Sequence, residues 1–112
     1  MGRREEEHKA QEQEVLSRTK LPRDNQVLGI CEQRVGGSRM KVRYVDGRVA
    51  ICRIPGRLKR RLWVREGDIL LVEPWALGGD TKGDVIFVYK PIQVDYLRRK
   101  GYLKSLEESE EF

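Results

Sequence analysis

The sequence of 112 residues is poor in the residue types from which most catalytic and metal sites are built. It has a single histidine, His8, and two cysteines, Cys31 and Cys52, with 20 residues between them. No zinc-ligand spacing arises from this set, and a Ser-His-Asp triad, a P-loop and a dinucleotide fingerprint are all missing. A disulfide is chemically possible, but nothing indicates secretion. We therefore predict a protein that is not an enzyme and that holds no metal or cofactor.

Long apolar runs are also missing. No stretch approaches the ~20 residues of a membrane-spanning helix, and none resembles the apolar core of a signal peptide. We expect a cytoplasmic protein with no membrane partner. The length suits one domain rather than two.

Charge is abundant but unevenly placed, with 23 Lys and Arg against 18 Asp and Glu. Residues 1–20 hold five basic and five acidic residues, and residues 104–112 hold one Lys and four Glu. The middle of the chain, 21–103, therefore has 17 basic and nine acidic residues, a net charge of +8. A compact excess of this kind attracts polyanions and indicates a nucleic-acid partner. Solubility alone is the simpler alternative.

Five short apolar segments with turn residues at their ends occupy this middle region. The predicted strands are Gln26–Val35, Arg39–Val45, Arg48–Ile54, Asp68–Leu77 and Asp84–Lys90. Leu58 and Leu62 are four residues apart, which predicts a short helix between the third and fourth strands that plugs one end of a barrel. This order of elements is that of the OB fold. We therefore predict an all-β protein built on a five-stranded OB-fold barrel.

The segments outside the barrel have their own signals. Residues 1–20 are almost without apolar side chains, which predicts a flexible tail that is disordered or loosely helical. The last two strands are apolar on both faces, so we expect a short helix over Gln93–Lys100 to cover them with an apolar stripe of Val94, Leu97 and Leu103. The predicted organisation is a tail over 1–20, the barrel over 21–90, a packed C-terminal helix over 91–103 and an acidic tail over 104–112.

Asp46-Gly47, between the second and third strands, is a strong signal for a two-residue hairpin turn. Such a turn pairs Val45 with Arg48. One face of the hairpin then belongs to the core, with Met40, Val42, Tyr44, Val49 and Ile51. The other face carries Cys52 and a basic row of Arg39, Lys41, Arg43 and Arg48. Alternating cations suit phosphates spaced along a backbone, and the alternatives are ordinary solubility or protection of the sheet edge by charge.

The densest basic cluster is Arg53–Arg61, where five of nine residues are basic and none is acidic. On a helical wheel, Lys59 and Arg60 point away from the two leucines, and Trp63 projects between these cations. A Trp beside cations is a stacking platform for an unpaired base. A solvated basic face with Trp63 in the core is the alternative.

Two glycine loops are expected to flank this face, because the loops after the first and fourth strands border the ligand in OB folds. They are Gly36-Gly37-Ser38 and Gly78–Gly83, and glycine lets the backbone approach a phosphate closely. The predicted RNA-binding residues are Arg39, Lys41, Arg43, Arg48, Arg57, Lys59, Arg60, Arg61, Trp63 and Lys82.

The stretch RIPGRLKRRLWVREGD, residues 53–68, resembles the segment that joins strands three and four in translation initiation factor 1A. Further stretches fit the same family in the same order: YVDGR at 44–48, ILLVEPW at 69–75, KGDVIFVYK at 82–90 and YLRRKGYL at 96–103. The resemblance covers residues 20–103 and extends more distantly to bacterial initiation factor 1 and S1-type RNA-binding domains. Pro55 stands where eukaryotic members have a basic residue, which indicates the archaeal branch.

The resemblance implies binding to the A site of the small ribosomal subunit, through its RNA and proteins, with promotion of subunit dissociation and stabilisation of initiator Met-tRNA binding. The implied partners include the complex of initiator tRNA with mRNA and initiation factors 1, 2 and 5B, and we expect a monomer off the ribosome. The positions that match RNA-contacting residues of the family are Arg39, Arg57, Lys59, Arg60, Arg61 and Trp63. Eukaryotic members have a basic N-terminal tail and a long acidic C-terminal tail. Here residues 1–20 are balanced in charge and the acidic stretch is the short segment 104–112. The tail functions of the eukaryotic members are therefore not carried over.

Two rival functions use the same barrel. A general single-strand RNA chaperone of the cold-shock type would carry aromatic side chains on the outer face of strands two and three, where this sequence has Arg and Lys and where Tyr44 is predicted to point inward. A metal-dependent nuclease would need converging carboxylates, for which Asp46 and Asp80 are the candidates, although Asp is common in turns.

Overall fold

The structure is a computed structural model that describes residues 19–78 and 80–108. Five strands close into a barrel in the order β1-β2-β3-β5-β4. They are β1 (Val27–Gly36), β2 (Arg39–Tyr44), β3 (Val49–Arg53), β4 (Ile69–Pro74) and β5 (Lys82–Val88). Neighbouring strands are antiparallel except for β3 and β5, which pair in parallel. The predicted five-stranded OB-fold barrel is confirmed, with small shifts at the strand ends.

The hairpin between β2 and β3 has a different loop from the predicted one. The Gly47 amide donates to the Tyr44 carbonyl at 2.9 Å, and the Tyr44 amide donates to the Arg48 carbonyl at 2.8 Å. The loop therefore has three residues, and Gly47 has φ 93° at its third position. Three-residue hairpin loops commonly end in a left-handed residue of this kind. The predicted pairing of Val45 with Arg48 is wrong by one residue.

This shift of one residue in the register exchanges the inner and outer faces of β3, because neighbouring side chains on a strand point to opposite sides. The predicted core residues of β2 are buried: Met40, Val42 and Tyr44. On β3 the predictions are wrong, since Val49 and Ile51 are each 42% exposed while Ala50 and Cys52 are buried. The outer face of the hairpin therefore carries two aliphatic side chains among its cations.

The barrel interior forms one apolar cluster, and the segment between β3 and β4 closes one end of it. Leu58 and Leu62 pack against this cluster, as the predicted plug requires. The predicted short helix is one 3-10 turn, Gly56–Leu58, followed by further turns. The Leu62 amide donates to the Leu58 carbonyl at 3.0 Å, which is enough to bring both leucines to the same side.

A second apolar cluster lies outside the barrel, on β1, β4 and β5, under two short helices. They are α1 (Pro91–Arg99) and α2 (Lys104–Glu108). Leu97 and Leu103 are fully buried against Leu28, Ile69 and Leu71. The predicted C-terminal cover is thus confirmed.

The chain reverses after α1 at Gly101, which has φ 83°. The Tyr102 amide donates to the Leu97 carbonyl and the Gly101 amide to the Arg98 carbonyl, the two bonds of a Schellman motif. The reversal leads into α2, which occupies the first part of the segment predicted as an acidic tail and buries Leu106. Of the predicted disordered tails, residues 1–18 and 109–112 lie outside the described residues.

Candidate nucleic-acid interface

The segment Arg57–Trp63 forms an exposed basic edge at the plugged end of the barrel. Its two leucines point inward, so the residues between them point to solvent. Four exposed cations have no carboxylate partner among residues 19–78 and 80–108: Arg57, Lys59, Arg60 and Arg61. Trp63 is 75% exposed, which excludes the alternative that it belongs to the core. We call these five residues the basic edge.

The outer face of β2 continues this positive surface. Arg39 and Lys41 are exposed, and neither has an acidic partner within the described part of the chain. Arg43 is half-buried, and its Nε lies 3.5 Å from Glu32 Oε2. Val49 and Ile51 lie across the hairpin from Arg43 and Lys41. The face therefore offers both charge and apolar surface.

Arg48 departs from the predicted basic row because it lies at the end of the hairpin loop and binds carboxylates. Its guanidinium is 2.7 Å from Asp46 and 2.9 Å from Asp80, and it lies over the Tyr44 ring. The hydrogen bond from Arg48 holds the pKa of the Asp46 carboxyl below its usual value. Arg48 thus links the hairpin loop to the loop before β5, and its charge is already matched.

The structure adds Trp75 to the candidate site, a residue that the sequence analysis missed. It follows β4, and its Nε1 donates to Asp84 Oδ1 at 2.9 Å. The Arg53 guanidinium and the Lys82 ammonium lie 4.9 and 5.4 Å from the centre of its ring. Lys82 begins β5 rather than lying in the preceding loop. A Trp separated by two residues from the apolar run Ile69–Val72 is expected in the core, and no local pattern places it between two cations.

The two cysteines contribute no ligand atoms to this surface. Both are buried in the barrel interior. Burial raises the pKa of the Cys52 thiol to about 11, and burial followed by the nearby Asp68 raises the pKa of Cys31. The prediction of Cys52 on the outer face is wrong because the shifted register of the hairpin turns Cys52 inward, just as it turns Ile51 outward.

Two other classes of site find no support in the part of the chain that the structure describes. Within residues 19–78 and 80–108, His, Cys, Asp and Glu side chains form no group of three or more that could hold a metal ion. In the same ranges, no helix has the length and apolar character needed to cross a membrane.

Comparison with known proteins gives a consistent set of relatives. The family model described as Translation initiation factor 1A / IF-1 matches residues 16–111. Translation initiation factor 1A from Methanococcus maripaludis (strain C5 / ATCC BAA-1333) is 50% identical over 95 residues, which are 85% of this chain and 92% of that protein. The factor of the same name from Pyrococcus abyssi (strain GE5 / Orsay) is 46% identical over 95 residues, 85% of this chain and 83% of its own.

Among solved structures, this chain is similar to bacterial translation initiation factor 1 from the Wolbachia endosymbiont strain TRS of Brugia malayi. The TM-score is 0.49 and the identity 24%, over 59% of this chain and 78% of that one. The match of the family model to most of the chain and the archaeal relatives at about half identity agree with each other. This chain belongs to the translation initiation factor 1A / IF-1 family.

Proposed function

We propose that this protein acts in translation initiation by binding the A site of the small ribosomal subunit through the basic edge and the outer face of β2. The observation that carries the proposal is the basic edge itself, in which four cations without acidic partners among the described residues stand beside a bare tryptophan. Exposed cations that have no carboxylate partner are available for phosphates.

The two parts of the surface suit different parts of RNA. Arg39 and Lys41 point outward from alternate positions of β2, a spacing that suits successive backbone phosphates. Trp63 offers a free ring face for an unpaired base, and such stacking contributes ~1–3 kcal/mol per base. The aliphatic side chains of Val49 and Ile51 add apolar surface beside the cations. Arg43 and Arg48 already pair with carboxylates, so we assign them a smaller share of the binding.

Family membership supports a wider role. We propose that the bound factor occupies the A site, promotes subunit dissociation and stabilises initiator Met-tRNA binding on mRNA, in the cytoplasm and together with initiation factors 1, 2 and 5B. Off the ribosome we expect a monomer. The protein acts by binding, and no catalytic step is part of the proposal.

The proposal is tested by co-sedimentation with purified archaeal small ribosomal subunits through a sucrose cushion at moderate salt. We expect the protein to pellet with the subunits and to bind them far more tightly than a labelled single-stranded oligoribonucleotide of arbitrary sequence. Absence of binding to subunits would refute the proposal. Equal affinity for subunits and for any single strand would favour the RNA chaperone of the cold-shock type instead.

A further inference from the structure

Where β3 meets β5, the barrel forms a shallow groove of its own. The two strands pair in parallel, with Ile51 opposite Lys82 and Arg53 opposite Asp84. Trp75 joins from the end of β4, where its amide donates to the Lys82 carbonyl at 3.1 Å. The groove has a volume of about 130 Å³, and the side chains at its surface are Arg39, Ile51, Arg53, Trp75 and Lys82.

Asp84 holds two of these side chains at fixed positions. Its Oδ1 accepts hydrogen bonds from Arg53 Nε at 3.0 Å and from Trp75 Nε1 at 2.9 Å. The guanidinium of Arg53 is also held 4.9 Å from the centre of the Trp75 ring. Only Nε of Arg53 is used for the carboxylate, and its two terminal nitrogens have no hydrogen-bond partner among the described residues. An arginine fixed in this way loses less conformational entropy when it binds a ligand.

The charges of the groove favour an anion. Arg39, Arg53 and Lys82 contribute three positive charges to its lining, against the carboxylates of Asp84 and Glu73 on the adjoining surface that shares Arg53 and Trp75. The planar fork of an arginine matches the oxygens of a phosphate, and a nearby ammonium adds a second donor group.

The two tryptophans are suited to different parts of an RNA ligand. The Trp75 ring already contacts Arg53 and Lys82, so a base that stacked on it would compete with both cations. The Trp63 ring has no cation or aromatic ring against it in the described part of the chain. A phosphate, in contrast, would add to the Trp75 cluster without displacing any member.

We propose that Arg53, Lys82 and Trp75, with Arg39 beside them, form a binding site for one phosphate group of an RNA backbone, and that Asp84 is its positioning residue. We call it the seam site. It rests on the proposed function and deepens it, since it extends the RNA contact from the basic edge to the parallel pairing of β3 with β5.

The chain has two tryptophans, so a Trp63→Phe background leaves Trp75 as the sole indole. In this background, Trp75 fluorescence is followed while a 12-nucleotide uridine oligomer is added, and separately while inorganic phosphate is added. We expect the oligomer to change the Trp75 emission, and we expect the oligomer concentration that gives half of this change to rise with salt concentration. The same change with inorganic phosphate at an equal concentration of phosphate groups would overturn the assignment to an RNA backbone, as would no change with the oligomer.

Variants in the same background test the individual residues. For Lys82→Gln and Arg53→Gln we expect the affinity for the oligomer to fall about 5–10-fold and the salt slope to decrease by about one. The matched control is Lys104→Gln, which removes an exposed cation from α2 on the helix-covered side; we expect a change below about twofold. Variants that behave like this control would overturn the seam site.

Arg53→Lys separates geometry from charge, because it keeps the charge but loses the planar fork. We expect about a threefold weaker affinity with an unchanged salt slope. Wild-type affinity for Arg53→Lys would show that charge alone acts and would overturn the positioning role of Asp84. Urea unfolding of each variant controls for folding. Among the described residues Lys82 makes no salt bridge, so Lys82→Gln breaks no ion pair there.

Failure of the seam site and failure of the proposed function give different results. If wild-type protein binds small subunits and Lys82→Gln binds them as Lys104→Gln does, the seam site is wrong and the proposed function stands. If wild-type protein does not bind subunits, the proposed function is wrong, whatever the oligomer titration shows.

Discussion

The barrel has two outer faces, of which one is covered by helices and the other is exposed to solvent. The outside of β1, β4 and β5 carries Leu28, Ile69 and Leu71, which α1 and α2 cover completely. The outside of β2 and β3 carries cations with Val49 and Ile51 between them, and no described element covers it. Both faces contain aliphatic side chains. The difference is that contiguous apolar residues are buried by the chain itself, whereas isolated ones among cations stay available to a ligand.

The largest test of this comparison is a pair of truncations, Leu97→Ala under the helices and Ile51→Ala on the bare face. Leu97 is fully buried, so its loss should lower the free energy of unfolding by about 2–5 kcal/mol. Ile51 is 42% exposed, and its truncation should cost less than about 1 kcal/mol. Urea unfolding measures both. Similar losses in the two variants would show that the bare face is as structural as the covered one.

The second test removes one exposed aromatic ring from the basic edge and one from the helix-covered side. Trp63→Ala should weaken binding to small subunits by about 1–3 kcal/mol, the contribution of one stacked base. Tyr102→Ala is the matched control, because Tyr102 is also exposed but lies beside the helices. Quantitative co-sedimentation gives both affinities. If both variants bind alike, Trp63 does not stack on a base in the complex.

The third test removes charge from the basic edge with Arg60→Ala and Arg61→Ala together. Both side chains are exposed, so we expect subunit binding to weaken about tenfold and the salt slope to fall by roughly 1–2 units. Stability should hardly change. A large loss of stability with an unchanged salt slope would instead show that the two arginines are structural.

The smallest expected effect concerns the interior behind the bare face. The Cys52 thiol has its pKa raised by burial to about 11, from an ordinary value of 9.0. As the pH rises above 9.0, the unfolded state loses this proton before the native state does. The stability from the neutral thiol is therefore present below about pH 9 and is lost as the pH rises toward about 11.

Urea unfolding at about pH 8 and about pH 10 compares the wild type with Cys52→Ala. The wild type should lose about 1 kcal/mol more than the variant over this interval, since one titrating group contributes at most ~1.4 kcal/mol per pH unit. An equal loss in both proteins would place the Cys52 thiol in contact with water. That outcome would contradict the assignment of Ile51, its neighbour in the chain, to the outer face.

The faces of β2 could be predicted from sequence, and those of β3 could not. On β2 the alternation of Met40, Val42 and Tyr44 with basic residues marks the core face directly. On β3 every residue from Val49 to Cys52 is apolar, so only the loop decides which of them point inward. The Asp46-Gly47 pair fits loops of two or three residues, and the closed barrel selects three because it places the small Ala50 and Cys52 inside.

The candidate site shows the same division. The exposed cations of Arg57–Arg61 could be predicted because Leu58 and Leu62, four residues apart, set the inward direction locally. The pairing of Arg48 with Asp80 could not, nor could the position of Trp75 beside Arg53. Their partners are 22 or more positions away in the sequence, and only the closure of the barrel brings them together.

The sequence by itself determined the number of strands, the apolar cover at the C-terminal end, the basic edge and the family. These properties depend on local patterns of charge and hydrophobicity and not on contacts between distant parts of the chain. Tertiary structure decided which face each β3 residue takes, which cations are matched by carboxylates and how Asp84 holds Arg53 and Trp75 together. The physical reason is that register and ion pairing depend on the relative positions of strands, which are set only when β3 and β5 close the barrel.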